Sequence, residues 1–156
     1  MKQRKIILIL TILLSIAYCK KEQKPVTEAE KPLFESVLSE NDKVVKSLLT
    51  TEEVSPNISA LLASVEALQA AKGGLEPAAQ EMRTALETAK SPDAKVSFVG
   101  LSKFSELLAD TMKANGLQSG RNRFYCPMVK KTWVFSGQRI ENPYAADMRD
   151  CGDLIP

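Results

Sequence analysis

Apolar residues recur at intervals of three and four along most of the chain from Leu33 to Asn115. Side chains at that spacing share one face of an α-helix. The first stretch, Leu33 to Thr50, carries Phe34, Val37, Leu38, Val45, Leu48 and Leu49. The second opens at Ser55-Pro56, a capping residue followed by proline at the first helical position. It carries Ile58, Leu61, Leu62, Val65 and Leu68, and stops at Gly73-Gly74. The third starts near Pro77, with Ala78, Met82, Ala85, Leu86 and Ala89. The fourth opens with Ser91-Pro92-Asp93, again a cap, then proline, then an acid at the positive helix end, and its stripe is Ala94, Phe98, Leu101, Ser105, Leu108 and Met112. Asn115-Gly116 closes it.

The pattern predicts helices over 33–50, 56–72, 77–90 and 92–115. Their connections are short, and each has one stripe to bury. The simplest arrangement is all-α, an antiparallel up-down four-helix bundle. Methionines and phenylalanines in these helices read as core. Glu66, Glu81, Glu87 and Glu106 read as charges on solvated faces.

After Gly116 the helical period stops. The runs "RFYCPM" and "TWVFSG" are aromatic and β-branched, which predicts two short strands or extended pieces. Asn142 precedes Pro143 and is therefore extended or in a turn. Residues 121–153 are expected to form an irregular or β clamp, its rings buried across one end or side of the helices.

The first residues change the picture of where the protein resides. Lys2, Arg4 and Lys5 precede an apolar run, Ile6 to Tyr18, shorter than a bilayer-spanning helix of ~20 residues. Residues 1–18 read as a secretory signal. Cys19 follows directly, as in a bacterial lipobox, where the thiol is diacylated and the cysteine becomes the first mature residue. Ile16 and Tyr18 make this a looser lipobox than the common form. An incidental cysteine after an ordinary signal, or an uncleaved anchor, are the alternatives. Residues 19–32 are charged, hold Pro25 and Pro32, and have almost no apolar content, so they read as a flexible tether. The expected location is the cell envelope, lipid-anchored at the outer membrane or facing the periplasm, and not the cytoplasm. Residues 33–156 form one domain.

Composition then narrows the function. Losing Lys2, Arg4 and Lys5 leaves 18 basic residues against 19 carboxylates. That balance lacks the basic excess of a nucleic-acid-binding domain. There is no histidine. Ser-His-Asp and Cys-His catalysis, His-ligated metals and the Glu-x-x-His di-iron pattern are thereby removed. No phosphate loop, GxSxG elbow, SxxK or CxxC appears, so no enzymatic activity is expected.

The remaining chemistry is sulfur. Beyond Cys19 two cysteines remain, Cys126 and Cys151, and two methionines lie beside them, Met128 and Met148. An even remainder in an oxidising compartment fits one disulfide. Closing that loop stabilises by roughly 3–4 kcal/mol and leaves the methionines as apolar filler. The other reading is a soft-metal grip, since thiolate and thioether select Cu(I). Cys126 and Met128 share a face if that segment is a strand, and Met148 and Cys151 share one on a helical turn. Trp133 or Tyr144 would then shield the ion. The compartment favours the staple, while a reduced form would be free to bind Cu(I).

The order "YCPM" at Tyr125–Met128, Trp133, "IENPY" at Ile140–Tyr144, Met148 and Cys151-Gly152 resembles an uncharacterised bacterial domain family. Its members read CPM…W…I-x-NPY…M…CG after a helical region. The resemblance is tight over the last ~30 residues and loose before them. It departs in a short spacer before Trp133, in Ala145-Ala146 after "NPY", and in lacking helix-borne histidines. Such domains occur as secreted proteins and lipoproteins, and fused to periplasmic adaptors of heavy-metal efflux pumps. The resemblance implies an accessory role in heavy-metal handling, copper included, by binding the ion or docking to an efflux component. The competing expectation is a structural or interaction lipoprotein. Trp133, Asn142, Pro143 and Tyr144 would hold the clamp in either case.

Overall fold

A computed structural model describes residues 24–51 and 54–156. The expected signal and Cys19 lie outside the described residues. The described residues form four helices, α1 (Glu30–Thr50), α2 (Ser59–Ala70), α3 (Glu76–Ala89) and α4 (Ala94–Asn115). They are followed by β1 (Arg121–Cys126), β2 (Lys131–Ser136), a 3-10 turn at Ala146–Met148, and β3 (Asp153–Ile155). The strands form one antiparallel sheet in the order β2-β1-β3. Among the described residues no helix is long and apolar enough to cross a membrane.

The stripes read from the sequence are the core. Phe34, Val37, Leu38, Leu61, Val65, Leu68, Met82, Leu86, Leu101, Leu108 and Met112 are all buried. Each helix packs on the next in sequence, and β2 packs on both α4 and α1. Glu66, Glu81 and Glu87 are exposed and Glu106 is partly exposed, as their positions implied.

The four helices and the two expected strands of the clamp are present, and β3 adds an unexpected third strand. The helix ends also differ from the expected ones, for physical reasons. Ser55 does not cap α2. Its hydroxyl donates to the carbonyls of Ser91 (2.9 Å) and Pro92 (3.2 Å), while Asn57 accepts from the Ser59 N–H (3.0 Å) and the helix starts at Ser59. Ser91 does not cap α4 either. Asp93 does, accepting from the Lys95 and Val96 N–H groups.

The largest difference is at the supposed tether. Helix α1 begins at Glu30, not Leu33, and Val26 already packs against the core. Glu30 is fully buried. It accepts from the Thr27 N–H (2.8 Å) and hydroxyl (3.0 Å), and from the N–H groups of Gly74 (3.1 Å) and Leu75 (2.7 Å). A carboxylate on α1 thus caps the start of α3 across 45 residues of sequence. The turn must come close to receive it. A Cβ on Gly73 would sit 2.1 Å from Glu30 Oε2, and one on Gly74 would sit 2.4 Å from the Lys24 carbonyl oxygen.

Burial pushes the Glu30 carboxyl up, but the hydrogen bonds from Thr27, Leu75 and Gly74 outweigh it and hold the group below its ordinary 4.5. A depressed folded-state value stabilises above the unfolded value, and that contribution is lost as pH falls through the folded one. Glu30→Gln leaves buried N–H groups underpartnered and is expected to cost about 2 kcal/mol at pH 7. Urea unfolding at stepped pH checks this. The gap between wild type and E30Q should be widest at neutral pH and shrink below about 4.5, the group's ordinary value. A gap that is constant with pH would contradict the assignment.

Candidate functional site: the C-terminal clamp

Strand β2 is an edge strand by pairing, yet its outer edge is not open. In an antiparallel strand alternate residues turn their N–H and C=O away from the partner. On β2 these include Thr132 and Val134. The Thr132 N–H donates to the Ser102 hydroxyl of α4 (2.9 Å), and the Thr132 carbonyl accepts from the Tyr144 hydroxyl (3.2 Å). The Val134 carbonyl accepts from the Asn41 amide of α1 (2.7 Å). The strand edge is therefore seated between α1 and α4 and satisfied by side chains of both helices together with Tyr144. Consecutive residues Thr132 to Phe135 are all buried, so β2 is covered on both faces.

The second cover is the segment after β2. Trp133 is fully buried and stacks on Phe124 at a centroid distance of 5.5 Å. Gly152 has φ 155°, and a Cβ there would meet Trp133 Cη2 at 2.6 Å. That position requires glycine for both its backbone and its space. Asn142 is fully buried. Its side-chain oxygen accepts from the Tyr144 N–H (2.9 Å), holding the turn through buried Pro143. The Tyr144 ring lies against Phe98 at 5.4 Å. Burial pushes its phenol above the ordinary value, with the Ser105 hydroxyl pulling partly the other way, so it stays a neutral donor.

Several residues without a local signal complete the clamp. Arg149 donates to the carbonyls of Asn142 (2.7 Å) and Leu48 (3.0 Å) and reaches that of Thr51 (3.4 Å), closing the open end of α1. Arg121 pairs with Glu35 and with Asp42 (3.1 Å) on the same helix. Burial pushes the Asp42 carboxyl up and outweighs the nearby guanidinium. Three buried donors of the clamp, Arg123 Nε, Trp133 Nε1 and Asn142 Nδ2, have no acceptor among the described residues.

The sulfur residues divide. Cys126 and Cys151 form a disulfide, with Cα atoms 5.6 Å apart and a sequence separation of 25. Cys126 is fully buried at the end of β1. Met128 does not continue that strand. The hairpin turns after Cys126, with Lys130 at φ 53°, and this breaks the alternation that would have put Met128 on the cysteine's face. Met128 stands in the turn, 73% exposed. Met148 ends the 3-10 turn, partly exposed, and its carbonyl accepts from the Cys151 N–H (3.1 Å). The expected Met148–Cys151 turn is present, and the expected Cys126–Met128 face is not. Among the described residues no cluster of three or more Asp, Glu or Cys side chains is placed to hold a metal ion.

A shallow groove of about 230 Å³ lies between the end of α4 and the strands β1 and β3. Its charged groups are already engaged. Arg123 pairs with Asp110 (3.1 Å), and Lys113 donates to the Pro156 carbonyl (3.1 Å). No family model matches this chain, and neither a curated protein nor a solved structure matches it.

Proposed function

We propose that this chain is an envelope lipoprotein, acylated at Cys19, that acts without catalysis as a docking accessory to a heavy-metal efflux component. On this reading the four helices run up and down as a bundle, and the clamp closes it. The observation that carries the reading is the use to which the signature residues are put. Cys126, Trp133, Asn142, Tyr144 and Gly152 engage one another and the helices, and Met128 is left in solvent. Residues spent on holding a shape support recognition by that shape. Metal coordination by Cys126, Met128, Met148 and Cys151 would require the disulfide to be reduced and the hairpin turn to be rebuilt. Cu(I) binding is therefore the secondary reading, confined to reduced protein.

The test is copper tolerance in cells lacking the chain, complemented with variants. The docking reading predicts that Met128→Leu with Met148→Leu restores tolerance in full. Loss of tolerance in that double variant, with its fold intact, would favour the metal site. Unaltered tolerance on deleting the whole chain would overturn the heavy-metal role.

A further inference from the structure

The described residues begin packed against the α2–α3 turn. Lys24 Nζ donates to the Lys72 carbonyl (3.2 Å), and Lys24 and Pro25 lie against Gly74 in the α2–α3 turn. Glu30 then ties the start of α1 to the same turn. Only five residue steps separate Cys19 from Lys24. Whatever their conformation, they span at most about 18 Å.

We propose that the domain stands on the bilayer by this end, with the α1 start and the α2–α3 turn apposed to the lipid headgroups. The inference rests on the acylation of Cys19 proposed above. A 14-residue free tether would let the domain sample any orientation, whereas a five-residue one confines it. The other end of α1 lies about 30 Å further out, given its 21 residues. There Ser55 meets Ser91 and Pro92, and Val54 and Val96 are exposed beside them. Val99 is exposed one helical turn further along α4. Among the described residues, three of the five exposed large apolar side chains are thus carried on the part directed away from the membrane.

The experiment uses the mature, lipid-modified chain in phospholipid nanodiscs doped with a gadolinium-chelating headgroup lipid. Mass analysis of the N-terminal peptide first establishes the acyl groups on Cys19. Amide signals are then compared with and without gadolinium. The proposal expects loss of signal at Gly73, Gly74 and Leu75, and retention at Val54, Val96 and Val99. A flexible 15-residue insertion after Lys21 should abolish that contrast while leaving the acylation unchanged. Acylated protein with uniform broadening, or with broadening at Val54 and Val96, would overturn the stance alone. An unmodified Cys19 would overturn the acylation and the stance together.

Discussion

Trp133→Ala is expected to lower unfolding stability by about 4 kcal/mol, the usual cost of emptying a fully buried large aromatic site. The indole lies between two covers. It stacks on Phe124 on one strand and meets Gly152 in the segment that closes over the sheet. Removing it opens a cavity that rigid neighbours cannot fill, because β2 is pinned by Ser102, Asn41 and Tyr144. Trp133→Phe should cost much less, about 1–2 kcal/mol, since the lost N–H has no acceptor among the described residues. Urea unfolding followed by far-ultraviolet circular dichroism measures both. The midpoints should fall in the order wild type, W133F, W133A. A W133A cost under about 1 kcal/mol would mean that the clamp is not part of the cooperative unit.

The second large effect is the staple. Cys126→Ala with Cys151→Ala frees a loop of 25 residues, and chain-entropy arithmetic gives a loss of about 3.5 kcal/mol at 25 °C. That is a large share of the 5–15 kcal/mol typical of a domain. Wild type unfolded in reductant should match the double variant to within the small cost of two extra sulfur atoms. Equal stability with and without reductant would show that the hydrogen bonds of Asn142, Tyr144 and Arg149 hold the clamp unaided.

Much of this architecture is legible locally, and the boundary of legibility has physical causes. The helices announce themselves because one buried face repeats every three to four residues, and Phe34 to Leu48 and Phe98 to Met112 follow it closely. The cysteine pair is legible from its even count once Cys19 is set aside. Strand β3 is not, because three residues are too few to display an alternation. Glu30 reads as one more charge in a polar leader. Only the α2–α3 turn, more than forty residues away, reveals why it is buried. Arg149 is likewise explained by α1 carbonyls about a hundred residues earlier. Ser55 and Ser91 have the composition of helix caps, but their hydroxyls find other partners. The Met128 expectation fails because β1 ends at Cys126, and the hairpin turn rather than the strand period places Met128 in solvent.

On the docking reading, the paired sulfurs hold the fold rather than an ion. An intact mass spectrum under native conditions tests it most directly, on a soluble chain beginning before Lys24 and exported to an oxidising compartment. It would be run with thiol alkylation and with added Cu(I). The expected result is a mass two hydrogens below the reduced value, no alkylated cysteine and no retained copper. Two alkylatable thiols, with one copper ion retained by the unalkylated protein, would contradict it.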